Sequence, residues 1–332
     1  MKIEEDRWGN VIAHYRSGSG QKRPPLFAAH TDHPGFIVQK ANGDGTFTAD
    51  FRGGVERSFF DGAAARFFVD GTWHTTPIVK VETVEKVRRG NRTYVRPGAV
   101  RFAASDSIPL ESIGMWDLPD PVERDGNVHA RACDDLAGVA ALLALLQRTA
   151  DKGHKTQFSC LFSRGEEVGF IGAIGACKAK SLPPNAYVIV VETSSALPHV
   201  KIQDGPIIRV GDKSSVFSPA VTGFCERIAQ QRANLRKSFR FQRKLMDGGT
   251  CEATAFNALG FEATCICLAL GNYHNMNRAT GKIDSEYVSI ADWRAMVDLF
   301  EAIVVHADQF SASTAKDASS YDALFKKYRG LL

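Results

Sequence analysis

The strongest constraint on the fold is a change of texture part-way along the chain. From about Phe36 to Trp116, short β-branched and aromatic runs alternate with Gly and Asp turns: Asn42-Gly-Asp-Gly45, Arg52-Gly-Gly54, Val69-Asp-Gly71 and Arg89-Gly-Asn91. Long helical periodicity is absent there, so the stretch is predicted to be an all-β module of several short strands. Asp120-Pro121 reads as its exit. On either side, apolar runs of strand length alternate with helical segments. That order predicts an α/β fold, a mostly parallel sheet flanked by helices, with the all-β domain inserted into it. The expected division is an α/β domain formed by residues 1–38 and 123–332, interrupted by a β-rich domain at 39–122. A chain of 332 residues has ample core for this.

Polar residues gather where the apolar runs stop. Trp8-Gly-Asn-Val-Ile-Ala13 reads as a turn and a short strand, and Pro24 to Ala29 as a strand ending in His30-Thr-Asp-His33. Gln157 to Phe162 is a strand followed by the Glu166-Glu167 turn, and Asn185 to Glu192 is a strand with Glu192 at its end. Phe261 to Leu270 is another, and His274 lies in the loop after it. Asp134 and Asp135 open a buried Ala/Leu-rich helix, Leu136 to Arg148. Further helices are expected at Val168–Ala179, Phe224–Leu235, Ala253–Leu259 and Val288–Ala307. The C-terminal ends of strands form the ligand crevice of α/β sheets.

Each residue also has a plain structural reading. Adjacent acids repel and are usually solvated, aspartates at a helix start complement its dipole, and a single histidine is commonly structural. Their joint placement along one sheet edge favours a site. Of these, His30, Asp134, the Glu166-Glu167 pair, Glu192 and His274 supply two histidines and three carboxylate positions, the ligand types for a pair of zinc-like ions with one carboxylate bridging. Cobalt or manganese would suit the same donors.

Composition narrows the partners. A formal charge of +4 is too small to argue for nucleic acid, and the basic segment Arg232–Lys244 reads as a solvated helix end and loop. The longest apolar run, Val139–Leu146, is far too short to cross a bilayer. The charged start Met1-Lys-Ile-Glu-Glu-Asp6 lacks the apolar core of a signal peptide. Seven cysteines, several within apolar runs and without a CxxC pair, suggest reduced thiols and a cytoplasmic protein. No nucleic-acid or membrane partner is therefore expected.

His30-Thr-Asp32, Cys133-Asp-Asp-Leu-Ala-Gly138, Gly165-Glu-Glu-Val-Gly169, Val191-Glu-Thr193 and Tyr273-His274 resemble the motif series of the two-metal aminopeptidases. Within them the closest likeness is to the glutamyl-aminopeptidase-like family whose members build tetrahedral shells, the TET aminopeptidases. Asp6-Arg-Trp-Gly-Asn-Val-Ile12 and Gly248-Gly-Thr250 resemble that family too. The resemblance implies that His30 and Glu192 bind one metal and Glu167 and His274 the other, with Asp134 bridging. It also implies a cis Asp134–Asp135 peptide, Asp32 orienting His30, and Glu166 as general base. Two divalent ions per subunit are implied, zinc first, with short peptides as substrates. A homo-oligomer is implied as well, with the β-module as its dimerisation surface or a lid.

Three positions depart from the family pattern. His33-Pro34-Gly35 replaces a motif that usually carries an acid, Glu192 stands where Asp is common, and Cys251-Glu252 follows the Gly-Gly-Thr turn in place of Asp. Two other readings keep the same residues: a related two-metal amidohydrolase (N-acyl deacylase or carboxypeptidase), or a catalytically silent assembly protein.

Overall fold

A computed structural model describes residues 1–18, 20–89, 92–103 and 108–331. Its centre is an eight-stranded sheet in the order Lys2–Glu5, Val11–Arg16, Gln157–Ser163, Pro25–His30, Tyr187–Ser195, Ala263–Leu270, Ile207–Asp212 and Gln242–Met246. The four middle strands, 157–163 to 263–270, are parallel. Their apolar runs are unbroken because helices cover both faces. The antiparallel pairings lie toward the flanks, at 2–5 against 11–16, 11–16 against 157–163 and 207–212 against 263–270.

Alternation with period two sorts the strand residues into two cores. Phe27, Ala29, Ile189 and Val191 face one side with Leu142, Leu145 and Phe300. These come from the helices α1 (Cys133–Asp151) and α5 (Ile290–Val305), joined there by α3 (Pro219–Leu235). Leu26, Ala28, Val188 and Val190 face the other side with Ala173 and Phe256, from α2 (Ile171–Ala179) and α4 (Glu252–Ala258).

The segment after His30 forms a closed barrel. Its six strands run in the order Ala99–Ala103, Thr46–Arg52, Gly35–Ala41, Ile113–Trp116, Ala64–Val69 and Thr72–Val81. Closure removes the exposed edges that short strands would otherwise present. The interior is aromatic: Phe36 meets Trp116 edge-on at 4.9 Å and Phe102 at 5.1 Å. Gly114 is required there, since a Cβ would stand 2.3 Å from the Phe67 ring. Gly90 and Asn91, at one of the expected turns, lie outside the described residues.

Two expectations need correction. The helix expected at Val288–Ala307 is a strand, Glu286–Ser289, followed by α5. Val288 pairs with Val128 in the neighbouring strand, and the Ser289 hydroxyl caps α5 by accepting the Asp292 N–H. The basic segment also contains the strand Gln242–Met246, and three of its cations are paired: Arg236 with Asp298, Arg240 with Asp204 and Arg243 with Glu226. A last helix, α6 (Phe310–Tyr328), was not expected.

Candidate metal centre

Register brings the strand-end residues together. Ser163 pairs with His30, so the turn carrying Glu166 and Glu167 leaves the sheet beside that histidine. Val190 pairs with Ala28 in parallel, which sets Glu192 level with His30 two residues further on. Asp134 and Asp135 begin α1, joined by a cis peptide bond. Gly138 in the same motif leaves room for Asp135: a Cβ there would meet its carboxylate at 2.4 Å, while the Gly138 N–H donates to it.

The carboxylate of Asp134 reaches both histidines. Its Oδ1 is 3.2 Å from His30 Nε2 and its Oδ2 is 3.7 Å from His274 Nε2. Glu192 Oε1 lies 3.6 Å from His30 Nε2, and Glu167 Oε1 lies 3.4 Å from His274 Nε2. Two compact donor sets result, His30–Glu166–Glu192 and Asp134–Glu167–His274, each with its donor atoms within 4.8 Å of one another.

Both imidazoles are fixed from behind. His30 Nδ1 bonds the Asp32 carbonyl at 3.1 Å, and His274 Nδ1 bonds the Gly54 carbonyl of the barrel segment at 2.9 Å. A carbonyl only accepts, so Nδ1 carries the hydrogen and each Nε2 turns toward carboxylate oxygens. A neutral Nε2 facing a carboxylate is repulsive unless a proton or cation lies between them. Donors about 2.0–2.1 Å from a tetrahedral ion stand about 3.3 Å apart, close to the 3.2–3.7 Å separations here. Glu167 Oε1 is also buried without a hydrogen-bond partner. The donor set therefore fits divalent metal.

Charge balance says the same. Burial pushes the carboxyls of Glu166, Glu167 and Glu192 well above the usual carboxylate range, and neighbouring acids add to it. Burial works against a charged His30, yet its bonds to Asp134 and Asp32 hold the imidazole well above its ordinary range. Burial would likewise raise Asp134, but His30 brings it below. One imidazolium cannot neutralise this many acids, and bound cations would.

The acidic turn is held from two directions. Asp32 Oδ1 accepts the Glu166 N–H at 3.0 Å and Oδ2 accepts the Glu167 N–H at 3.1 Å. Asn10, from the Trp-Gly-Asn motif, accepts the Arg164 N–H and donates to the Gly172 carbonyl. That N-terminal motif is a clamp on the turn. The Asp32 carboxylate stands 3.6 Å from His30 Nδ1, farther than its own carbonyl.

Sequence reasoning missed several supporting residues. Glu286, fully buried, accepts the Asp134 N–H. His33 bonds the Asp134 carbonyl at 3.1 Å and Asn275 Oδ1 at 3.0 Å, and burial pulls its imidazole down to about 4. Glu252 is buried, and that burial pushes its carboxyl up to about 7. Of these, only His33 and Glu252 carried a signal, as departures from the family pattern.

Comparison with known proteins agrees with this geometry. The profile of the M42 glutamyl aminopeptidase family matches residues 9–289. A curated relative from Acetivibrio thermocellus, named "Putative aminopeptidase", is 26% identical over 258 residues, covering 75% of this chain and 73% of its own. An aminopeptidase of the archaeon Desulfurococcus kamchatkensis superposes with a TM-score of 0.74 at 21% identity, over 93% of this chain and 87% of its own. The TET peptidase of Pyrococcus horikoshii, described as assembling into a tetrahedron or a large octahedral shell, gives 0.71 at 20% identity, over 91% and 89%. At such identities the structures speak for the fold. The family match over most of the chain decides the rest: this protein belongs to the M42 glutamyl aminopeptidase family and is a metal-dependent aminopeptidase.

Proposed function

We propose that the centre holds two divalent ions, zinc by preference, and removes N-terminal residues from short peptides. The observation that carries this reading is the position of Asp134 between the two histidines, one carboxylate oxygen toward each. His30 and Glu192 would hold one ion, Glu167 and His274 the other, and Asp134 would bridge them. A bound pair supplies Lewis acidity to the scissile carbonyl and to the attacking water. Cobalt or manganese fits the same nitrogen and oxygen donors.

The protein's own part is the handling of one proton. Glu166 sits within the His30 donor set, and the proposed division makes Glu167 a ligand and leaves Glu166 as base. Its carboxylate takes a proton from water as the water oxygen attacks the peptide carbonyl. It returns that proton to the amine nitrogen as the C–N bond breaks. Asp32 holds the backbone of both glutamates, which fixes the base relative to the ligands.

The assembly and location extend the same reading. We take residues 39–122 as the inserted domain and dimerisation surface or lid, with 1–38 and 123–332 as the catalytic part. A homo-oligomer is supported by the shells described for related folds. A cytoplasmic location is supported by the seven free cysteines. No helix among the described residues is long and apolar enough to cross a membrane.

Metal analysis combined with a panel of aminoacyl and N-acylated chromogenic substrates tests the proposal. Two equivalents of metal and cleavage of free aminoacyl substrates are expected. Hydrolysis confined to blocked substrates would indicate a deacylase instead.

A further inference from the structure

Helix α6 starts on the body of the protein and finishes off it. Phe310 is buried, its ring stacked on Tyr187 with centroids 4.2 Å apart. Every residue from Ser319 to Leu331 is exposed. That exposed part is not polar throughout: Tyr321, Leu324, Phe325 and Tyr328 are 47–72% exposed. Their spacing of i, i+3, i+4 and i+7 makes one apolar stripe along the helix. A solvated helix of this length is marginal in water, and packing of an apolar face is what stabilises it. The helix also lies beyond residues 9–289, the stretch that the family profile matches.

The charges beside the stripe select an occupant. Asp322 and Arg329 are seven residues apart and share one flank, whereas Lys327 lies on the other. A second copy of the helix, laid antiparallel, sets Tyr321 on the partner's Tyr328 and Leu324 on the partner's Phe325. Equal flanks then meet, and Asp322 faces the partner's Arg329 twice by two-fold symmetry. A parallel pair would bring Arg329 toward the Lys327 flank instead. We propose that α6 is a self-association helix, through which two copies of this chain pair antiparallel with reciprocal Asp322–Arg329 ion pairs setting the direction. Four apolar side chains on each partner are far fewer than the ~20–30 residues a side of a standard interface. The link is therefore weak and concentration-dependent, and it is separate from any assembly through the barrel.

Light scattering on the full chain over a concentration series tests it. The average mass should rise with concentration, and Leu324→Asp with Phe325→Asp should abolish that rise while the Tm of the main unfolding transition and the aminopeptidase activity stay unchanged. Asp322→Arg should weaken association about tenfold, and adding Arg329→Asp should restore it. A rise unaffected by the apolar pair of substitutions, or a double charge reversal no better than the single one, would overturn the proposal. An oligomer of fixed mass in every variant would overturn it and leave assembly through the barrel standing, whereas a strict monomer would remove both. Binding to phosphatidylglycerol vesicles that the apolar substitutions abolish, with mass unchanged, would make the stripe a lipid-facing surface and likewise refute self-association.

Discussion

Glu286 accepts the backbone N–H of Asp134 on Oε2 at 3.0 Å, across 152 positions of sequence and entirely inside the protein. The bond anchors the residue whose carboxylate faces both histidines. Glu286→Ala leaves a buried N–H unpaired, a loss of about 1–3 kcal/mol, and lets Asp134 drift. Loss of such a supporting contact weakens metal binding about 10–100-fold, whereas Glu286→Gln retains an acceptor and should stay near the wild type. Calorimetric titration of zinc into stripped protein checks this. Equal affinities in the Ala variant and the wild type would remove the anchoring role.

The adjacent acids should separate into two phenotypes. Glu166→Gln keeps the shape of the turn and removes the base, so kcat should fall by about 10²–10⁴-fold with metal content preserved. Glu167→Ala should lose metal first and activity with it. Atomic absorption on dialysed protein beside a kinetic assay distinguishes them, and metal loss from Glu166→Gln would reverse the assignment.

These residues were legible because each stands where an apolar run stops or a helix starts. His30 ends its strand, His274 lies in the loop after one, and Asp134 opens α1; Glu192 was expected at a strand end but stands inside Tyr187–Ser195, where the apolar run gives way to polar residues. The all-β character of the barrel segment was legible too, since its turns are dense in glycine and aspartate, but its closure was not. Glu286 and Asn275 were not, because their importance depends on which distant segments become neighbours. Asn127–Ala130 pairs with Glu286–Ser289, and no local pattern announces that pairing. The antiparallel flank at Ile207–Asp212 depends likewise on long-range packing. Helix α6 lies well beyond Tyr273-His274, the last of the motifs in the chain.

Metal removal should make stability fall with rising pH. Without cations, burial holds the carboxyls of Glu167, Glu192 and Glu286 above their usual range, and hydrogen bonds to acids hold His30 high against its burial. Groups with raised folded pKa values stabilise at low pH and lose that contribution as pH climbs toward those values. His33 and His274, lowered by burial, act in the opposite sense but only up to the ordinary imidazole range. Asp32 and Asp134 are lowered, so their effect falls below the usual carboxylate range. Above about pH 6.5 the raised groups dominate. The gap in Tm between zinc-loaded and chelator-treated protein should widen from there to about pH 8, as scanning fluorimetry would show. A narrowing gap would contradict the charge balance drawn for the site.

Asp32 poses the sharpest choice between two roles, because it touches both sides of the site. Its carbonyl accepts from His30 Nδ1, a contact that any residue at position 32 would keep. Its carboxylate oxygens take the N–H groups of Glu166 and Glu167. Asparagine can replace one acceptor only, and its amide NH₂ would face the other N–H. Asp32→Asn should therefore displace the acidic turn about as much as Asp32→Ala does. If the carboxylate serves the turn, kcat falls about 10–100-fold, a 1 Å misplacement being enough, and zinc binding through His30 changes little. If it serves His30 across the 3.6 Å gap, zinc affinity falls while turnover per bound metal is preserved. Measuring kcat and zinc affinity on the same two variants decides between them, and the shorter contacts to the turn favour the first.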